Sequence, residues 1–529
     1  MDGMRKCLEE EFSSIYVLNL RGNQRTSGEL SRKEGGKIFG SGSRTPVTIT
    51  FLVKNSTKKA GEKATIYYHD IGDYLDREKK LQLVKEFGSV NKIKWDVIKP
   101  NDKYDWINQR GEEFDQLLSI ADKKDKTQNK HVFFNDVYTM GLVTSRDIWC
   151  FNSSKKVLEN NIKNSIDFYN TVVDEYQNAI EKDKDLDVVD FLEKNNKLDK
   201  TKFSWDRVQK ERDVKNANKY TFSKESVYLC SYRPFFKQMC YFNRNLNNCV
   251  YQLPKLFPTS ESENLVICLS GTSKGFTCLV SNSIVDLHFD GDSQCFPLYY
   301  YEEIKGQGDI FSADVEGKQC EKKSGITDWV LQEIKSRYKT NNINKEQIFY
   351  YVYGILHSKD YREKFDAELK KSLPKLPIVD SFDDFKAFEK AGRELANLHL
   401  NYENQQPLKD VQVTMTSTPY NDDYDFYKVE KLKFPKKTEK NRIIYNGHIV
   451  IDNIPDKVYE YVVNGKSAVE WIMDRYQVRI DKDSLIKNDP NDWSLEHGKP
   501  RYILDLLLSV MTVSVKTIDI VDNLPKLKF

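Results

Sequence analysis

Hydrophobic and polar positions change period several times along this chain, and the changes mark its elements. Near the N-terminus a short helix is predicted over Met4 to Glu11, followed by the strand "IYVLNL". After a long polar loop, Val47, Ile49, Phe51 and Val53 alternate with polar neighbours, the two-residue period of a half-buried strand. A turn rich in Lys and Gly (Asn55 to Lys63) leads into "ATIYYHDI", and two such runs joined by a short turn predict an antiparallel hairpin. A three-strand fragment with one hairpin does not bury a good core alone.

The period lengthens beyond residue 150. Leu158, Ile162, Ile166, Tyr169, Val173, Tyr176 and Ile180 recur every three or four residues, which predicts an amphipathic helix with Ser153 or Ser154 as N-cap. The charged stretch Glu181 to Lys202 reads as a surface helix and loop. From Tyr220 to Glu302 short apolar runs ("VYLCSY", "LVICLS", "TCLVS", "IVDLHF", "CFPLYYYE") are separated by Gly, Asn and Ser, predicting a small sheet or partial barrel. Helical spacing returns in "TDWVLQEIKSRY" and in "KEQIFYYVYGILHSKDYREKFDAELKKSL". In the latter Phe349, Val352, Leu356, Tyr361, Phe365 and Leu369 mark the buried side of one helix that Pro374 and Pro377 end. A further helix is expected from Phe382 to Tyr402, strands between Val411 and Ile451, and closing helices near Asp456 to Asn464, Ala468 to Val478 and Arg501 to Val515. No repeat of fixed period is visible.

Length and charge narrow the picture. At 529 residues the chain exceeds one core, and roughly 100 to 200 residues per domain suggests about three. With 39% hydrophobic and 31% charged residues it reads as soluble and globular. No run approaches the ~18 apolar residues of a membrane span. Glu9, Glu10 and Glu11 stand where a signal peptide needs an apolar core, so a cytoplasmic address is expected. A net charge of +2 supplies no global field toward nucleic acid, so any such contact must come from local patches. The best patch is Lys428 to Arg442, seven basic residues against two acidic, for which a solvated strand pair and loop is the plainer reading. The nine cysteines are odd in number and lack a Cys-x-x-Cys pair, as expected for reduced, mostly buried thiols.

Candidate chemistry is sparse. "GGKIFGSGSRTPVTITFLVKN" (Gly35 to Asn55) is glycine-rich enough to suggest a phosphate cradle, but such a cradle follows a strand and opens a helix, whereas this loop runs into a strand. It also lacks the Gly-Lys-Ser/Thr ending and the Gly-x-Gly-x-x-Gly spacing. Asp286, Asp290 and Asp292 lack the spacing of a calcium loop, and His288 with Cys278 and Cys295 matches no zinc pattern. No His-Glu-x-x-His helix occurs. The residues by themselves show no catalytic centre.

Longer stretches carry a resemblance. "VLNLRGNQRTSGELSRKEGGKIFGSGSRTPVTITFLVKN", "GLVTSRDIWCFN", "YRPFFKQMCYFN", "GDSQCFPLYYYE", "YYVYGILHSKDYREKF" and "VYEYVVNGKSAVEWIMDRYQV" with "NDPNDW" occur in this order. Over essentially the whole chain they closely resemble the C-terminal part of the single-chain type ISP restriction-modification enzymes. In that family one polypeptide joins a nuclease, a helicase-like ATPase, an N6-adenine DNA methyltransferase and a target recognition domain. The resemblance implies a mixed α/β fold. Residues 1–100 would be the last Rossmann-like methyltransferase strands with their β-hairpin, 101–325 the helix-plus-β part of a target recognition domain, and 326–529 its helical and mixed C-terminal part. The implied function is reading duplex DNA for adenine methylation and restriction. The alternatives are the partner half of a split methyltransferase, active only with a separate catalytic chain, or a decayed fragment.

The resemblance also places residues. Phe39 matches the aromatic that helps hold an extruded adenine, whose lost stacking a π-face replaces; plugging the local core is the other reading. Arg21, Arg25 and Arg44 flank the same loops, where guanidinium groups grip phosphates or are simply solvated. Arg146, Arg233, Lys237, Arg244 and Lys274, at ends of predicted strands among Tyr232, Phe235 and Phe242, are the candidate DNA contacts further on. A cofactor-binding Gly-rich loop, the Asn/Asp-Pro-Pro-Tyr/Phe tetrapeptide, a Walker motif and a nuclease signature are all missing, so Met1 is expected to begin partway through the methyltransferase. No cofactor is expected in this chain. S-adenosylmethionine, ATP and Mg would serve the full enzyme, through an upstream chain or segment carrying methyltransferase, helicase and nuclease parts.

Overall fold

The computed structural model describes residues 2–26, 28–40, 42–56, 58–59, 61–124, 130–271, 275–303, 320–420 and 423–529. The chain is a mixture of helices and several small sheets. The N-terminal sheet has four strands, β1 (Ser14–Asn19), β2 (Thr48–Val53), β3 (Thr65–Asp70) and β4 (Asp96–Ile98), in the order β2-β1-β3-β4. β1 pairs antiparallel with β2 and parallel with β3. The expected hairpin between the second and third runs is therefore not formed, because β1 lies between them. Burial explains the order. Ile15 and Leu18 of β1 are enclosed on opposite faces of the sheet, whereas Phe51, Leu52 and Val53 of β2 are exposed. The strand with two faces to bury takes the middle, where both of its ladders are also satisfied.

The helix α1 (Lys155–Ile180) starts at Ser154, whose side chain accepts from the Val157 amide at 3.0 Å. Leu158, Ile162, Ile166, Tyr169, Val173 and Tyr176 form its buried face. It packs against a sheet built on β5 (Val227–Arg233) and β6 (Phe236–Tyr241), flanked by Ile284–Val285 and Phe151–Asn152. A second four-stranded sheet orders Cys278–Ser281, Val266–Leu269, Gln294–Pro297 and Thr139–Met140. The β-rich region is thus two four-stranded sheets and a two-stranded one, in which Tyr299–Glu303 pairs with Cys320–Ser324. All nine cysteines are free thiols, six of them buried.

The run expected as one helix from Lys345 breaks in two places. α2 (Lys345–His357) ends at Ser358, whose backbone leaves the helical region (ψ 127°), and a new turn, Lys359–Lys364, starts on the Ser358 hydroxyl. Phe365 then separates a last turn, Asp366–Leu369. A serine side chain that caps a helix start competes with continuation through it. α2 crosses α3 (Phe382–Leu400) at contact distance through glycines. A Cβ on Gly392 would lie 1.9 Å from the Tyr350 carbonyl oxygen, and one on Gly354 2.2 Å from that of Phe388. The helix expected near Asp456 to Asn464 is a 3-10 turn (Asp456–Tyr459) followed by a short strand. The closing helices are α4 (Ala468–Arg475), three residues shorter than expected, and α5 (Tyr502–Asp522), which ends seven residues beyond the expected Val515. Two large hydrophobic cores result, and both take residues from either side of position 325. No helix among the described residues is long and apolar enough to cross a membrane.

Candidate nucleic-acid interface

The arginines and lysines singled out by sequence divide sharply by environment. Arg146 is only 5% exposed. Its guanidinium contacts Asp206, donates to Gln209 Oε1 at 2.9 Å and lies over the Phe203 ring. Arg233 pairs with Asp286, stands 3.6 Å from Asp147 and stacks on Tyr232 at 3.8 Å. Burial pushes Asp286 up to about 7 even with Arg233 alongside, so the guanidinium is the fixed charge of that pair and the carboxyl the titratable member. Lys237 lies 3.4 Å from Glu403 and over the Tyr402 ring. Arg21, at the end of β1, donates to Asp70 at 2.6 Å and contacts Asp73. These four cations are held by carboxylates of the fold.

Arg25, Arg44 and Arg244 are exposed. Arg44 donates to the Gln24 carbonyl at 2.9 Å and so ties the strand-entry loop to the loop carrying Arg25. Phe39 is 58% exposed and does not plug a core. Lys274 lies outside the described residues.

A continuous basic surface forms elsewhere, on the segment Lys428 to Lys437. Val429 and Leu432 turn inward, which leaves Lys428, Lys431 and Lys433 outward, with Lys436 and Lys437 on the following loop. Lys431, Lys433, Lys436 and Lys437 form no ion pair among the described residues. The three outward lysines share a concavity of about 510 Å³ with Asn446 and His448 and with the carboxylates of Asp425 and Glu430. The backbone of this strip bridges Lys431 to Gln477, and Val478 donates to the Glu430 carbonyl at 3.1 Å. This pairing sets the lysines beside a second cleft.

That cleft, about 210 Å³, lies between β5–β6 and the segment after α4. Because α4 stops at Arg475, the next residues are not helical, and Arg475, Gln477 and Arg479 all line it. Gln238 of β6, Asn488 and the Asp147 carboxylate complete the polar wall, against Phe151, Tyr232 and Phe236. One carboxylate, Asp474, serves Lys466 at 2.6 Å, Arg475 at 3.1 Å and Arg479 at 3.0 Å. Burial, with Arg233 and Arg479 nearby, pulls Arg475 below the ordinary arginine value despite Asp474. Two guanidiniums, Arg475 and Arg479, thus line the cleft with the Asp147 carboxylate.

Residues 133–506 match the family model described as the Type ISP C-terminal specificity domain. The chain belongs to that family. Three solved structures align with this specificity domain and the residues around it. A nuclease-deletion mutant of the Type ISP restriction-modification enzyme LlaGI, in complex with a DNA substrate mimic, is 39% identical, with 99% of this chain and 45% of that one covered (TM-score 0.83). The ATP-dependent Type ISP restriction-modification enzyme LlaBIII, bound to DNA, is 39% identical over 100% of this chain and 32% of that one (TM-score 0.81). DrdV in a DNA complex is 29% identical over 100% and 49% (TM-score 0.80). The chain thus spans half or less of the length of each. No curated protein matches significantly.

Within the specificity domain, reasoning along the sequence reached the lysine strip but not the cleft. Gln238 and Asn488 are 250 positions apart in a chain whose folding joins them, and no local pattern announces that. Arg475, Gln477 and Arg479 did carry a signal, since polar side chains at every second position share one side of an extended segment. Reading them as the tail of a helix to Val478 hid it.

Proposed function

We propose that this chain is the DNA target-recognition portion of a Type ISP restriction-modification enzyme. The observation that carries the reading is the strip of outward lysines without ion pairs on a domain whose family is defined by specificity. Lysines already neutralised by carboxylates release no counterions when DNA arrives, whereas unpaired ones do. Arg25, Arg44 and Arg244 would add exposed phosphate contacts, with Lys274 a further candidate. Arg21, Arg146, Arg233 and Lys237 would act mainly by holding the surfaces that carry them.

In this reading residues 1–100 end the adenine methyltransferase domain, with Phe39 available to stack on an extruded base, and 101–325 and 326–529 are the two parts of the recognition region. The exposed edge strand β2 favours an upstream segment or chain with methyltransferase, helicase and nuclease parts, in which S-adenosylmethionine, ATP and Mg would reside. This chain alone would transfer no methyl group. The cytoplasm is the compartment such an enzyme would share with its DNA.

The test is a fluorescence-anisotropy titration of duplex DNA across salt. Wild-type chain is expected to bind with a steep salt dependence, and Lys431→Ala/Lys433→Ala/Lys436→Ala/Lys437→Ala to lose most of that slope. No binding at low salt rejects the reading. Labelled methyl transfer to DNA by the purified chain alone rejects the assignment of the reactive half elsewhere.

A further inference from the structure

The cleft beside the lysine strip gathers four side chains that are each anchored at one atom and open at another. Gln477 donates from Nε2 to the Asp474 carbonyl at 2.6 Å, leaving its own carbonyl oxygen without a partner among the described residues. Asn488 accepts the Ser153 amide on Oδ1 at 3.1 Å, leaving its Nδ2 donor without a partner among the described residues. Deeper in the wall, Gln238 donates to Ser153 Oγ at 3.3 Å while its Oε1 is buried and unpaired. Arg475 faces Asp474 through one terminal nitrogen while its Nε is buried and unpaired. Each buried orphan costs about 1–3 kcal/mol, which a ligand that pairs it recovers.

The chemistry of the open atoms selects the ligand. They comprise two acceptors, the Gln477 and Gln238 carbonyls, and two donors, the Asn488 amide and the Arg475 Nε–H. A phosphate offers only acceptor oxygens and would leave both carbonyls facing like partial charge. The edge of a base offers donors and acceptors side by side, and Gln, Asn and Arg are the side chains that match such edges in the major groove. The anchored ends hold the open ends in place, so little side-chain entropy remains to be lost on binding. The position agrees, because Lys431 bridges directly to Gln477, so a duplex held by its phosphates along the strip would present its groove to the cleft.

We propose that this cleft reads the hydrogen-bonding edge of one base in the duplex held by the lysine strip, with Gln477 and Asn488 as specificity-determining residues and Gln238 and Arg475 completing the pattern behind them. The inference rests on the DNA-recognition reading above and adds which residues set the sequence.

The experiment selects bound duplexes from a random-sequence pool with wild-type chain and with Gln477→Ala, Asn488→Ala, Asn488→Asp and Lys431→Ala, and sequences them. Wild type is expected to enrich a defined sequence. Gln477→Ala and Asn488→Ala should lose about tenfold or more of the discrimination at a single position. Asn488→Asp keeps the acceptor for the Ser153 amide, so it should fold as wild type by urea unfolding, and it replaces the open donor by an acceptor. It is expected to change the preferred base rather than abolish preference. Lys431→Ala should weaken all sequences alike and leave the preference intact. Wild type enriching a sequence, with the same discrimination retained by Gln477→Ala, Asn488→Ala and Asn488→Asp, overturns the inference while leaving the DNA-recognition reading standing. Wild type binding no duplex at low salt removes both.

Discussion

Arg146 and Arg233 on one side, and the lysines from Lys431 to Lys437 on the other, carry the same sign of charge and do opposite work. The arginines are enclosed, with Asp206, Asp147 and Asp286 within reach. The lysines stand outward and form no ion pair among the described residues. An enclosed charge that loses its partner is stranded where solvation is poor, so such pairs fix the geometry of the fold. An outward charge costs little to leave unpaired and keeps its attraction for a polyanion. Environment therefore divides the basic residues of a specificity domain into those that shape its surface and those that meet a partner.

The sharpest way to break this division is Arg233→Ala. Leaving Asp286 and Asp147 without their shared guanidinium should cost about 3–5 kcal/mol of stability in urea unfolding. An unchanged midpoint with lost DNA binding would move Arg233 to the other class.

A smaller effect sharpens what enclosure means. Asp290 is buried and forms no ion pair among the described residues; it accepts from Thr277 at 2.6 Å on one oxygen, the other is unpaired, and burial pushes it up to about 8 from 3.8. The unfolded chain releases this proton above pH 3.8, and the folded chain holds it until about 8. The group thus costs stability increasingly as pH rises through that window, by at most about 1.4 kcal/mol per unit. Asp290→Asn should match wild type near pH 4 and exceed it at pH 8 in thermal unfolding. His399, pulled down to about 3 by burial, acts on the acid side. Its unfolded form gains a proton below pH 6.5 that the folded form refuses until about 3, so both proteins should weaken as pH falls across that interval.

The lysines complete the comparison. Lys431→Ala/Lys433→Ala should leave stability within about 0.5 kcal/mol, and should lower the slope of log affinity against log salt by about 1 for each phosphate contact removed. The smallest expected effect is Arg244→Ala, one exposed side chain, with unchanged unfolding and a slope reduced by at most about 1.

Much of the architecture was legible because it depends on local spacing. The three-to-four residue period from Leu158 to Tyr176 and the serine before it specify α1 and its cap without knowledge of any neighbour. The close glycine crossing of α2 and α3 was not legible, since Gly354 and Gly392 gain meaning only from the carbonyls of Phe388 and Tyr350. The N-terminal sheet failed in the same way. β2 and β3 follow each other along the chain, but β1, with Ile15 and Leu18 to bury on opposite faces, intervenes between them.

Sequence by itself determined the helical and extended segments, the family pattern and the unbalanced run of lysines from Lys428, because periodicity and composition act over a few residues. Only the tertiary structure decided that Arg146 and Arg233 are enclosed, and that Gln238, Arg475, Gln477 and Asn488 face one cleft. Burial and convergence are set by contacts between distant parts of the chain, and the dielectric around a charge is a property of everything packed about it.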